Sequence, residues 1–337
     1  MRLRLMLLVV TVSCVLVAVP SAAVSGTITT IPVGAEPVGV AVNSLTDKTY
    51  VATRADNAVT VIQGLAVVAT VPVGTFPRQL AVNAVTNKIY VTNFMSNDVS
   101  VIDGATDRVV ATIRVGAQPF GVGVNPVTNK IYVASARTNS LWVIDGTRDV
   151  VVKQIPLRAS GPYGVAVDDV TNRIYVAVSG CCHNEGRRVS VIDGTKDTFL
   201  TSIDLGQKAN AETLTVDDAT HMVYVGDLCT ESRTNDCFKN GDFGHMVSVI
   251  DGASNTVVDH VAVGTAPFGP AADSERNIVY VPNLFDNTMS VIDGATDSVI
   301  DTVPVGALPA GAGVNTSTNR VYVSNLGDNT VSVLTRN

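Results

Sequence analysis

Most residue patterns that announce catalysis are missing from this chain of 337 residues. There is no Cys-x-x-Cys-His run to attach a c-type haem and no Gly-x-Ser-x-Gly around a nucleophilic serine. A phosphate-binding glycine loop and a His-Glu-x-x-His pair are absent too. Histidine numbers four, too few for a multi-histidine copper cluster. Nothing has the apolar spacing of a long amphipathic helix. After Ala23 no run reaches the ~18 unbroken apolar residues of a membrane-spanning helix. Basic residues are outnumbered, 23 against 30 acidic, for a formal charge of −7. That balance argues against general nucleic-acid binding through a basic surface.

What is present starts with an export signal. Arg2 and Arg4 precede an apolar run from Leu5 to Val19, and Pro20-Ser21-Ala22-Ala23 supplies small residues of the kind cut by a signal peptidase. The alternative is a lipoprotein cut before Cys14, which Val12-Ser13-Cys14 fits in part. Residues 1–23 thus read as a cleaved signal and 24–337 as one mature domain, exported to the periplasm, the medium or the cell surface. Loss of the two arginines takes the charge to −9. Much of the acidity sits at recurring turn positions, in Asp103, Asp145, Asp193, Asp251 and Asp293 and again in Asp107, Asp149, Asp197 and Asp297. Aspartate there bonds its own backbone and tolerates turn geometry.

Internal repetition dominates the rest. Tyrosine followed by valine recurs at Tyr50, Tyr90, Tyr132, Tyr175, Tyr224, Tyr280 and Tyr322. Around each lies the pattern clearest from Gly116 to Gly146: a turn with proline, Gly-Val-Gly-Val-Asn, a Thr-Asn turn, Ile-Tyr-Val, a polar loop, then Val-Ile-Asp-Gly. In the second copy this predicts strands over Gln79–Asn83, Lys88–Thr92, Asp98–Ile102 and Arg108–Val115, rich in Val, Ile, Thr and Tyr and separated by Asn, Asp and Gly. Four-strand units at this period mark propeller blades, so the expected fold is an all-β, seven-bladed β-propeller. The last copy stops after its third strand, at Val331-Ser332-Val333-Leu334, and Gly26 to Gly34 matches a fourth strand. The N-terminal strand is therefore expected to complete the seventh blade.

Tyr90-Val91-Thr92-Asn93, with Val-Ser-Val-Ile-Asp-Gly and Val-Gly-x-x-Pro around it, resembles the YVTN-family β-propeller repeat over nearly all of residues 26–336. The resemblance implies fold rather than activity, in a family of exported bacterial proteins and archaeal surface-layer proteins. It also implies that the recurring Tyr, Asn and Asp are packing and turn residues.

Function is to be sought where the repeat breaks. From Tyr to the Val of Val-Ile-Asp-Gly the spacing is 11 residues in five blades, 16 in blade four and 25 in blade five. Both insertions, at about 179–188 and 226–246, fall in the loop between second and third strands. They hold all four mature cysteines, Cys181, Cys182, Cys229 and Cys237. In an exported protein these favour disulfides. Two of the three pairings link the loops, and the third joins Cys181 to Cys182 and Cys229 to Cys237. The same cysteines with His183 and His245 could instead hold zinc or copper. Calcium is a further possibility, and no cofactor is required by the sequence. A third reading is a recognition surface bearing Asp227 and Glu231.

Aligning the residue after each turn proline gives a ring of Val38, Arg78, Phe120, Tyr163, Glu212, Phe268 and Ala310 at the expected channel mouth. Trp142 replaces a small residue on a third strand and is either packed or an exposed anchor. The function this supports is an extracytoplasmic, monomeric binding protein for another protein, a peptide or a small ligand. The alternative is a metal-dependent or acid–base lyase or hydrolase at the same mouth, drawing on Glu212, His183, His245 and Asp227.

Overall fold

The computed structural model describes residues 26–158, 160–178, 187–206, 210–229 and 241–336. The expected signal peptide, Cys181, Cys182, His183, Glu231 and Cys237 lie outside the described residues. Among these run twenty-eight strands and no helix, in seven four-stranded antiparallel sheets. The chain is a seven-bladed β-propeller.

Blade two shows how the pattern builds the unit. Its strands are Pro77–Asn83, Lys88–Asn93, Asp98–Asp103 and Arg108–Arg114. The second strand is buried from Ile89 to Asn93 because neighbouring blades cover both its faces. The fourth strand forms the outer rim, where only Ile113 is buried. The first strands of successive blades lie side by side and surround the channel. They approach closely: a Cβ on Gly39 would stand 2.5 Å from the Arg78 carbonyl oxygen, so only glycine fits.

All seven repeat tyrosines are fully buried. The hydroxyls of Tyr90, Tyr132, Tyr175, Tyr224 and Tyr322 leave the blade core and reach the turn between third and fourth strands of the next blade. Tyr90 donates to Asp149 Oδ1 (3.3 Å) and Tyr132 to Asp197 Oδ1 (3.2 Å). Burial, then the aspartate beside each, pushes both hydroxyls well above the ordinary tyrosine range. Lysines two residues earlier reach the same turns. Lys48–Asp107, Lys88–Asp149 and Lys130–Asp197 each close to 2.7 Å. The second aspartate of Asp-Gly-x-x-Asp thus binds blade to blade, a role that turn chemistry alone does not disclose. The first aspartate does serve its own turn, with the Ala105 amide donating to Asp103 Oδ1 (2.7 Å).

The ring closes as the sequence predicts. Gly26–Pro32 pairs antiparallel with Thr330–Arg336, from Gly26 opposite Arg336 to Pro32 opposite Thr330. Blade five departs from expectation. Its second and third strands lengthen to Met222–Cys229 and Phe243–Asp251, with Asp227 opposite Met246 and Cys229 opposite Phe243. Part of the region read as an insertion at 226–246 is therefore sheet. Asp227 is a fully buried strand residue, not a surface charge.

Candidate ligand-binding mouth

Two kinds of segment meet on one face. One is the lead-in turn that joins a fourth strand to the next blade's first strand; the other is the loop between second and third strands. The pre-proline residue of the lead-in turn takes a left-handed backbone: Glu36 (φ 52°), Phe76 (60°), Gln118 (56°), Ala266 (57°) and Leu308 (52°). None is a residue type that favours this region, so each is strained. Asparagines of the preceding blade hold the turns in place. The amides of Glu36, Phe76, Gln118 and Leu308 donate to Oδ1 of Asn329, Asn57, Asn97 and Asn287 at 2.8–3.0 Å. Blade five has lost that asparagine to its insertion, and the Ala266 amide donates to the Gly244 carbonyl instead (2.7 Å).

Just past each proline the register slips, as between Pro77 and Leu80 and between Pro119 and Val122. Such bulges re-aim side chains, and here they hold the ring residues Val38, Arg78, Phe120, Tyr163, Glu212 and Ala310. Arg78 is enclosed by aromatic rings, its guanidinium 4.9 Å from the Phe76 centroid and 5.1 Å from those of Phe94 and Phe120. Phe120 is in turn tilted against Tyr163 at 4.6 Å. Among the described residues the buried Nε of Arg78 has no acceptor. Burial first, then the Arg54 charge, lowers the Arg78 pKa, while Glu212 acts the other way. Glu212 is raised to about 7 by burial, with Arg78 opposing. The two feel each other across the mouth without forming an ion pair among the described residues.

Of the ring, Val38, Arg78, Glu212, Phe268 and Ala310, but not Phe120 or Tyr163, line a cavity of about 400 Å³, within the usual ~300–1,000 Å³ of small-ligand pockets. Its two sides differ. Arg54 and Arg78 lie on blades one and two. Leu228, Phe268, Leu284, Phe285, Leu308 and Leu326 form an apolar wall on blades five to seven. Arg54 is already paired, Nε to Glu36 Oε2 at 2.6 Å. Below the mouth the channel holds a smaller space of about 150 Å³, lined by first-strand residues such as Leu80, Val122 and Leu214.

The ring after the proline was legible; the apolar wall was not. Arg54, Phe94, Leu228, Leu284 and Leu326 all stand four residues after the repeat tyrosine. The amides of Arg54, Phe94, Leu284 and Leu326 donate to the carbonyl of the pre-proline residue, as from Phe94 to Phe76 (3.0 Å) and from Leu326 to Leu308 (3.0 Å), and that of Leu228 to Asn210 in the blade that lacks the proline (3.2 Å). Carrying the repeat alignment one step beyond Tyr-Val-x-Asn would have exposed this second ring.

Other sequence candidates fall elsewhere. Asp227 occupies the position of the repeat asparagine. It accepts from Ser248 Oγ (2.9 Å), which also meets His260 Nδ1 (3.1 Å). Its Oδ1 is buried without a partner, and burial raises it to about 8. His245 is exposed on the third strand of blade five. Trp142 is partly buried against the core between blades two and three. His221 lies on the opposite face, 3.0 Å from buried Asp168. Among the described residues no group of three or more His, Cys, Asp or Glu is placed to hold a metal ion. Of the six proposed thiol and imidazole ligands, only Cys229 and His245 are described.

No protein-family profile matches the chain, so the YVTN resemblance rests on the repeat residues alone. No curated protein matches it in sequence. Among solved structures it is similar to a chain of Kuenenia stuttgartiensis hydrazine synthase. The TM-score is 0.78 at 20% identity, over 90% of this chain and 96% of that one. At that identity the likeness carries the propeller fold and nothing of the activity.

Proposed function

We propose that the protein is an exported, monomeric, non-enzymatic binding protein that seats a small ligand or peptide end in its channel mouth. The carrying observation is the two-sided cavity, with apolar residues of three blades facing an arginine whose buried Nε has no acceptor among the described residues. A propeller is a suitable scaffold, since seven rigid blades present their loops at one end of a closed ring. Cys229 is buried, and the loop cysteines act as staples in an oxidising compartment.

An uncharged apolar dye such as Nile red tests the site. It should bind once per chain, and Leu284→Ser with Leu326→Ser should weaken it at least tenfold while leaving the circular dichroism unchanged. Equal binding by that variant would place the site elsewhere. The enzymatic reading, an acid–base lyase or hydrolase drawing on Glu212, His183, His245 and Asp227, has its support in Glu212, whose raised pKa suits proton transfer near neutrality. Turnover of a candidate substrate that vanishes in Glu212→Gln would favour it. Elemental analysis of tag-free protein for zinc, copper or calcium would test metal dependence.

A further inference from the structure

The mouth is more selective than a greasy funnel, and its charges say for what. Three rings hold the Arg78 guanidinium over the channel, so its orientation is fixed before any ligand arrives. Arg54, the other cation of the cavity, is neutralised by Glu36 at 2.6 Å. Arg78 is not neutralised: among the described residues it has no ion pair, and its buried Nε has no acceptor. A partly buried cation whose buried Nε lacks an acceptor is costly unless a ligand supplies the missing oxygen. Across the cavity stand Leu228, Phe268, Leu284, Leu308 and Leu326, which demand an apolar body.

Resting on the mouth as the binding site, we propose that its ligand is an apolar organic monoanion. A carboxylate or comparable head would be gripped in the plane of the Arg78 guanidinium, with the hydrocarbon part against the wall of blades five to seven. Arginine suits this because its planar fork matches two oxygens at once, whereas a lone ammonium does not. A cationic ligand would have to approach Arg78 and Arg54 together. An uncharged one would leave the buried Nε without an acceptor.

Glu212 adds a pH signature. The charged or titratable groups around it are Arg78 across the mouth, the Arg54–Glu36 pair, Tyr163 on the neighbouring first strand, and Asp227 on the strand paired with its own. Glu212 titrates near 7, so an anion entering beside it favours the protonated form. Binding should take up a proton, and affinity should fall as pH rises above about 7.

The test is displacement of bound Nile red from the full mature chain by octanoate, octanol and octylammonium at pH 6. Octanoate should displace the dye at least tenfold more effectively than either of the others. Octanoate should also exceed hexanoate by about tenfold, from two further buried CH₂ groups. Arg78→Met should remove the preference for octanoate and leave octanol unchanged; Arg78→Lys should retain part of it. If Arg78→Met does not fold, Glu212→Gln serves: octanoate affinity should become flat between pH 6 and pH 8. Octanol or octylammonium displacing the dye as well as octanoate does would overturn the anion class and leave the mouth as the site. Failure of the dye itself to bind there would overturn the underlying reading.

Discussion

The two faces of the propeller use the same repeat in opposite ways. On the face away from the cavity, the turns between first and second strands put Asp47, Asn87, Asn129, Asn172, His221, Asn277 and Asn319 in the left-handed region. All but His221 are residue types that accept it at little cost. Their side chains are spoken for: Asn43 Nδ2 donates to Asn87 Oδ1 (2.9 Å), Asn83 to Asn129 (2.8 Å) and Asn125 to Asn172 (2.9 Å), each from one blade to the next. At the mouth the same backbone region is occupied by Glu36, Phe76, Gln118, Ala266 and Leu308. Of these, Leu308 lines the cavity, Phe76 packs against the Arg78 guanidinium and Glu36 pairs with Arg54, and Arg78 and Glu212 lack ion pairs among the described residues. One face is consistent at every level. The other stores strain and an idle buried donor, which is where a recognition site is expected.

Substitutions can break or sharpen that contrast. The largest effect should come from the blade-to-blade lattice: Tyr90→Ala removes a fully buried ring and its bond to Asp149, and should cost ~3–5 kcal/mol in urea unfolding. Asp227→Asn should act in the opposite direction. Asn93, Asn283 and Asn325 show the repeat's own solution, each donating Nδ2 to a serine 2.9 Å away. Asp227 is raised to about 8, so the folded state holds its proton more tightly than the unfolded chain does. The contribution of Asp227 to stability should therefore be greatest below about pH 4, fall as pH rises to about 8, and level off beyond. Asp227→Asn should flatten this decline and add on the order of 2 kcal/mol at pH 8, read from denaturation midpoints across pH. A mutant with the same pH profile as wild type would assign the decline to other groups.

Leu308→Gly tests the trade at the mouth. Relief of the left-handed strain should stabilise by about 1 kcal/mol, while loss of the cavity wall should weaken dye binding several-fold. Weaker binding without added stability would show that the turn is not strained. The smallest effect is expected from Lys88→Met, which breaks one partly exposed ion pair of the lattice. It should cost about 0.5–1 kcal/mol, shrink in high salt, and leave the mouth untouched.

The fold was almost entirely legible because the same physical solution is written seven times. Blade borders, strand order and the closing strand follow from the spacing of tyrosine, turn asparagine and turn proline. The site was legible only in part. Arg78, Glu212 and Phe268 stand out because they interrupt a bland alignment position. Leu228, Leu284 and Leu326 do not, since leucine after a strand looks like ordinary core until the neighbouring turns are seen to frame a cavity. Asp227 misled for the complementary reason. A carboxylate near a long polar loop reads as solvated, and only the continued pairing with Met246 puts it inside. The partnership of Lys88 and Tyr90 with Asp149 was hidden because it spans two blades.

The strand Gly26–Pro32 sets a timetable as well as a seam. It precedes every blade in the chain, yet its partner Thr330–Arg336 follows them all. Until that last segment arrives, six blades can stack while the seventh lacks its outer strand and presents an open edge. Ring closure is then the contact of greatest sequence separation, the kind that forms slowly. A chain interrupted before Thr330 keeps its repeats but has nothing to lock them.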